Sequence, residues 1–270
     1  ASSLDLEHHQ HILDPDTFHS RLPDLAWHGE DLDVTVLFFQ PLFAKMAESV
    51  TVGLCGQGAD ELHAGYPRYR DLQSYSTVVS ERLDDLNCDL SNLHGESWWS
   101  GDHSAYAHTN SLQDLLQFEL ENGQLSNFQL RLVDRHSMAH GLEVRVPFLG
   151  SRHREASSKL PMDWRLPSSL EEKAALRSAA ELTSLPTEIV RRPKLPAGRA
   201  TSPHMIDSLL EELNPYVEQI AKRYPDLEHA LIKQPEIAIG LGLFESMHIL
   251  DGGKSKRSGD VSALLEEVVS

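Results

Sequence analysis

Cysteine is nearly absent from this chain: its 270 residues hold two, Cys55 and Cys88, and neither stands at a spacing that suggests a metal site or a disulfide framework. A reducing, cytoplasmic setting is the expectation. No apolar run approaches the roughly 18 residues of a membrane span. The N-terminus has no basic stretch followed by an apolar one, so neither a bilayer nor a secretory signal is expected. Bases are scarce too, 24 Lys and Arg against 41 Asp and Glu, for a formal net charge of −17. That balance excludes a broad electrostatic grip on nucleic acid or on an anionic membrane, and suits small cationic or metal-bound ligands. What is present is 40% hydrophobic content, enough for one large core or two modest ones. The chain begins at Ala1, without a Met, and is expected to be trimmed or to continue from something upstream.

The pattern along the chain is mostly helical. Gln10-His11-Ile12-Leu13 reads as a short strand closed by the turn Asp14-Pro15-Asp16, after which Thr17 to Trp27 has helical periodicity. A second helix is expected from about 38 to 48 and a strand from 50 to 55, which together make a parallel strand–helix–strand unit. Apolar residues then recur at helix spacing over roughly 76–86, 110–121, 124–139, 168–182, 203–222 and 234–249. The segment from Cys88 to Thr109, with Trp98 and Trp99, reads as a long surface loop. The stretch 251–259 reads as a flexible link to a short amphipathic helix, 261–269. Two strands are too few for an ordinary parallel sheet.

The passage V52-G-L-C-G-Q-G-A-D-E-L-H-A-G-Y66 carries the most chemistry, because an apolar run breaks there into glycines and then into paired carboxylates. Gly56 and Gly58 permit a tight turn and close backbone approach to a phosphate. Asp60 and Glu61 follow, and two acids beside free backbone N–H groups can hold a Mg²⁺ whose other ligands are phosphate oxygens. The same residues also suit a simple helix cap, and alone they do not decide between the two. In D134-R-H-S-M-A-H-G-L-E-V-R-V-P-F-L149, Asp134, Arg135, Glu143 and Arg145 interrupt a core-like run; either Glu143 and Arg145 pair with partners nearby and lock the helix end to the sheet, or the charges face a substrate. Arg191, Arg192, Lys194 and Arg199 form a basic cluster suited to a specific anion. His8, His9 and His11 fall on opposite faces of the first expected strand, which is poor geometry for a metal.

Together the two passages resemble the synthetase domain of the asparagine synthetase B family, which typically reads like SGDGADELFGGY and DRxSMAHGLEARVPFLD. The likeness extends to E7-H-H-Q-H-I-L-D14, K173-A-A-L-R and L185-P-T-E-I-V-R-R-P-K-L-P-A-G198. The resemblance implies an α/β fold of the adenine-nucleotide hydrolase-like type, whose parallel sheet is incomplete in this chain and precedes a largely helical C-terminal region. The expected division is a synthetase-like domain over 1–250 and a linker with a terminal helix over 251–270. The implied reaction is ATP-dependent activation of a carboxylate, aspartate in the family, as an acyl-adenylate with release of pyrophosphate, followed by attack of ammonia or another amine. Carried over by position, Cys55 and Gly56 lie against AMP with Gly58 beside them, Asp60 holds Mg²⁺, and Lys194 offsets charge on the phosphate and adenylate. Gln57 and Glu61 complete the implied catalytic set.

The sequence departs from the family in two places. The SGG-x-DS pyrophosphate loop is not in this chain, so an upstream segment or a separate chain is expected to supply it; a homodimer is a further expectation. Gln57 stands where the family has an acid, and a neutral amide cannot accept a proton near neutral pH. His63 is a nearby substitute base, although a lone His is more often structural. A catalytically silent binding or regulatory homologue, and a lactam-forming relative with an internal amine, are the alternatives.

Overall fold

A computed structural model of the chain describes residues 4–87, 111–167, 171–194 and 203–270, apart from 11, 13, 37, 38, 122, 251, 255, 256 and 258. The expected surface loop at 88–109, Cys88 and Arg199 lie outside the described residues. The first helix, α1 (Pro15–Asp24), starts where the sequence dictates: the Asp14 carboxylate accepts from the Thr17 N–H at 2.9 Å and Pro15 opens the first turn. A π-helical turn, Leu25–Gly29, extends it. There follow α2 (Phe39–Ala47), β1 (Val52–Leu54), α3 (Ala59–His63), α4 (Leu72–Asp84), α5 (Leu112–Glu121), a π-helical turn at Leu125–Gln129, α6 (Leu130–Met138) and β2 (Glu143–Arg145). The C-terminal half is helical: α7 (Ser151–Ser158), α8 (Met162–Arg165), α9 (Ala174–Ala180), α10 (Thr187–Val190), α11 (Pro203–Lys222), α12 (Glu228–Lys233), α13 (Pro235–Phe244) and α14 (Val261–Val269).

Among the described residues there are two strands; β1 lies within the strand expected at 50–55, but the other does not fall at 10–13. Gln10 and Ile12 have no strand structure and Ile12 is exposed; a lone extended segment with no ladder partner leaves its backbone groups to solvent. The partner of β1 is β2, parallel, in the register Val52↔Glu143, Gly53↔Val144 and Leu54↔Arg145. The β-branched run Val50-Thr51-Val52 favours extension, and Glu143 and Arg145 pair with each other at 2.8 Å on the exposed side of β2. Of the helix expected at 168–182, residues 168–170 lie outside the described ones, and among the rest the α-helix covers Ala174–Ala180.

Among the described residues, only one face of this small sheet is covered. Phe43 and Met46 of α2, Val133 of α6, and Leu142 pack beneath it. Gly53 lets them come close, since a Cβ there would lie 2.8 Å from the Met46 methyl. Val52 and Leu54 are exposed, Leu54 at 72%, whereas parallel sheets ordinarily bury both faces. The largest core is elsewhere and wholly helical. Leu22, Leu25, Leu209, Leu213, Ile220, Ile239, Leu243 and Met247 are buried there, together with Leu264 and Leu265 of the terminal helix.

A second buried set ties α2 to α6. Gln40 and His136 are fully buried; the Gln40 amide N–H bonds His136 Nδ1, while its oxygen accepts from His140 Nε2 at 2.8 Å. The His136 ring lies on Gly29, where an added Cβ would come within 2.6 Å of it. Burial, with His28, His140 and Arg135 nearby, lowers the His136 pKa to about 4.

Two expectations follow. In α13, Gly240 sits against the Leu32 carbonyl, 2.0 Å from where a Cβ would stand. Alanine gains about 1 kcal/mol of helix propensity there, but the backbone clash is larger, and we expect Gly240→Ala to destabilise by roughly 2 kcal/mol or more in urea denaturation. For His136, the unfolded chain binds the proton more readily than the folded one, so the stabilisation is present above the ordinary value of 6.5 and lost as pH falls toward about 4. Unfolding free energy should therefore drop between about pH 7 and about pH 5, and drop less in His136→Gln. Equal slopes in the two proteins would remove His136 as the cause.

Candidate active site

The loop at the C-terminal end of β1 is built by three backbone requirements. Cys55 extends the strand by one bond, its N–H donating to the Arg145 carbonyl at 2.8 Å. Gly58 takes φ +88° and a Cβ there would lie 2.3 Å from the Leu149 side chain, so this position belongs to the turn and its packing. Gly56 has no atom within 4 Å of an added Cβ and faces open space. Ala64, with φ +54°, ends α3 in the left-handed region, and its neighbour Gly65 leaves the gap in which the next feature sits.

That feature is a shared carboxylate oxygen. Asp60 Oδ1 lies 2.9 Å from Lys173 Nζ and 3.1 Å from Lys194 Nζ. All three side chains are largely but not fully buried, between 15% and 22% exposed. A side chain at position 65 would collide with this pair, 2.1 Å from the Asp60 oxygen and 2.3 Å from Lys173 Cε. Lys194 also stands 5.3 Å from the centre of the Tyr66 ring, a cation–π distance. Burial lowers the Lys173 pKa and Asp60 opposes that shift. Two ammoniums against one carboxylate leave the cluster net positive within a chain whose overall charge is −17.

The structure thus brings Asp60 and Lys194 together, as the motifs imply, and adds Lys173, which sequence reasoning left without a role. It also shows what holds the two lysines in place. Arg177 of α9 donates from Nε to the Glu172 carbonyl at 2.9 Å and from Nη1 to the carbonyls of Val190 and Arg192 at 2.6 and 2.9 Å. One guanidinium therefore fastens the segment before Lys173 to the segment before Lys194. The signal was in K173-A-A-L-R177, a Lys and an Arg one helical turn apart, but nothing in the sequence pointed to carbonyl partners. Arg191, one of the basic cluster, is occupied by Glu171 and Glu181.

The other expected residues fall differently. Gln57 is half-buried in the turn, and Cys55, also half-buried, packs on the cluster of Phe43, Val133 and Leu142. Glu61 does not face outward with Asp60: it is fully buried, neither oxygen accepts a well-formed hydrogen bond, and burial raises its pKa. It lies among Asp60, Tyr66 and Glu119, and the Tyr66 hydroxyl accepts from the Gln129 amide at 2.9 Å. His63 is turned toward α7, with Nε2 at 2.9 Å from His153 Nε2 and 3.3 Å from the Ser157 hydroxyl. Burial first, then His153, Arg165 and Lys173, lowers its pKa to about 4. These contacts join α3 to α7. Among the described residues no group of three or more His, Cys, Asp or Glu is arranged to hold a metal ion by itself.

Comparison with known proteins gives this geometry a context. A family model described as asparagine synthase matches residues 1–238. Over 247 residues the chain is 24% identical to the glutamine-hydrolyzing asparagine synthetase 1 of Bacillus subtilis, a match that covers 72% of this chain and 38% of that protein. Over 204 residues it is 28% identical to the glutamine-hydrolyzing asparagine synthetases of Gallus gallus and Homo sapiens, covering 72% of this chain and 29% of each of those. The chain spans less than two-fifths of the length of these relatives. With nearly nine-tenths of its length matched by the family model, it belongs to the asparagine synthase family.

Proposed function

We propose that this chain carries part of the active site of an ATP-dependent, amide-forming carbon–nitrogen ligase of asparagine synthetase type. The reaction is activation of an aspartate-like carboxylate as its acyl-adenylate, with release of pyrophosphate, and attack by ammonia or another amine. The observation that carries the proposal is the pair of ammoniums, Lys173 and Lys194, meeting on one oxygen of Asp60 at the end of a parallel strand. Open α/β sheets bind ligands beyond the carboxyl ends of their strands, and the family's nucleotide-hydrolase sheet places ATP there.

The residues present fit a phosphate chain. Two fixed, part-buried cations offset negative charge more strongly than solvated ones, and they need no rearrangement as charge develops on the leaving pyrophosphate. Gly56 gives open backbone beside them, with Cys55 and Gly58 on either flank of the turn for the AMP moiety. Asp60 is the one carboxylate of the loop within reach of solvent, so it is the residue that would hold Mg²⁺. The metal's other ligands would be phosphate oxygens and water, with the two ammoniums passing from Asp60 to phosphate oxygens. Mg²⁺ would supply charge neutralisation on the leaving group. Gln57 can hydrogen-bond the attacking amine but cannot take its proton. Glu61 is fully buried, out of reach of an incoming amine, and burial raises its pKa.

The half-covered sheet bears on partners. Exposed Val52 and Leu54 offer an apolar face on which the remaining strands and the pyrophosphate loop would pack, supplied by an upstream segment of the same polypeptide or by a separate chain. A cytoplasmic location and assembly as a homodimer complete the proposal; no described helix is long and apolar enough to cross a membrane.

The test is ATP–pyrophosphate exchange with aspartate and Mg²⁺, using the protein together with the segment that carries the pyrophosphate loop. Exchange is expected in the parent protein and should fall at least a hundredfold in Lys194→Ala, about 2.7 kcal/mol of lost stabilisation. No exchange in the parent protein would sink the ligase reading, and unchanged exchange in Lys194→Ala would remove that lysine from the site.

A further inference from the structure

Behind α3, on the side away from Asp60, lies a cleft of about 370 Å³, within the range that holds small ligands. Its inner wall is apolar, formed by Leu62 of α3, Leu116 and Leu120 of α5 and Met162 of α8. Leu62 and Leu116 are almost fully buried. The polar residues on it are Arg165, buried to 5% exposure, and at the exposed rim Arg154, Glu155, Gln113, Gln117, Ser151 and Ser158.

Arg165 is unusual for a buried charge. Its guanidinium donates to the carbonyls of Leu62 at 3.1 Å, Leu160 at 3.2 and 3.3 Å, and Ser157. All of these are neutral acceptors, and among the described residues no carboxylate lies within ion-pair distance of it. Glu155, the one acid lining the cleft, is exposed and bonded to Lys159 at 2.7 Å. Two buried carboxylates, by contrast, are matched by a guanidinium: Glu119 by Arg68 and Glu245 by Arg223. A buried cation with no counter-ion is costly. Burial alone accounts for the lowering of the Arg165 pKa.

We propose that this cleft is a binding site, separate from the Asp60–Lys173–Lys194 cluster, for a small carboxylate with an apolar body. The carboxylate would meet Arg165 and Arg154, and the hydrocarbon would lie on Leu62, Leu116, Leu120 and Met162. A bare inorganic anion would leave the apolar wall wet, and a neutral apolar molecule would leave Arg165 unpaired; the combination of wall and charge selects the amphipathic acid. Such a ligand would also be coupled to α3, because Arg165 bonds the carbonyl of Leu62, two residues from Asp60.

The experiment follows the Met162 methyl resonance of the full chain during titration with hexanoate, with acetate and 1-hexanol as matched probes lacking the body or the charge. Hexanoate should shift the methyl saturably and bind at least about tenfold tighter than either control, a margin of about 1.4 kcal/mol. Arg165→Met should abolish that preference for hexanoate over hexanol. Because Arg165 also holds three carbonyls and its replacement can unfold the protein, Leu120→Trp, which fills the cleft from its half-exposed wall, is the second variant. It should lose hexanoate binding while keeping the parent melting temperature. The proposal is overturned if hexanoate causes no saturable shift, if hexanol binds as tightly as hexanoate, or if Leu120→Trp binds hexanoate like the parent.

Discussion

The candidate site depends on one oxygen atom serving two cations. Lys173 and Lys194 both reach Asp60 Oδ1, which holds their ammonium groups within about 6 Å of each other. Like charges that close repel by several kcal/mol at the effective dielectric of a part-buried site. Only an anion between them makes the arrangement tenable, and Asp60 is that anion when nothing else is bound. The same electrostatics favour any ligand that brings more negative charge than one carboxylate. This is a physical reason, independent of family, for a phosphate chain at this place.

Several otherwise odd backbone choices follow from keeping that contact. Lys173 adopts φ +58° although it carries a Cβ, as does Ala64 at φ +54°, and each such residue costs of order 1 kcal/mol or more. Gly65 must stay without a side chain because the Asp60–Lys173 pair fills the space a Cβ would take. Arg177 then fixes two chain segments through three carbonyls, so the distance between the lysines is set by main chain and not by flexible stems alone. The helical core of α1, α11, α13 and α14 supplies most of the buried apolar surface and takes no part in the site. The thin sheet, with one bare face, does the positioning.

What could be read in the sequence was whatever repeated. The helix expected at 203–222 forms as α11 over Pro203–Lys222, because its apolar positions recur at helix spacing over five turns. The helix at 261–269 likewise forms as α14. Short elements gave no such signal. β2 has three residues, two of them charged and exposed, and its strand character comes from pairing with β1, a contact made across roughly ninety positions. Gln10 and Ile12, the described residues of the strand expected at 10–13, take no strand structure. In the site, Asp60 and Lys194 were legible as types at positions, while their direct bond was not. Lys173 and Arg177 stood inside a motif without a role, since their partners are a distant carboxylate and backbone carbonyls. Glu61 shows the limit most plainly: two adjacent acids look alike in a sequence, yet on a helix successive side chains diverge by about 100°, which turns Asp60 to the part-buried lysine pair and Glu61 into the interior.

That divergence bears on what the loop can do. Asp60 pairs with two lysines, whereas burial pushes the Glu61 carboxyl up from its ordinary value. With Gln57 in the turn, the segment 52–66 offers its ligands one accessible negative charge and no free base. Under the function proposed, two fixed cations beside one carboxylate suit the carboxylate-activating half of the reaction. An incoming amine would need a base, and none faces the cluster among the described residues of this loop; on that proposal the amine would arrive neutral or meet its base on a segment packed against the exposed face of the sheet.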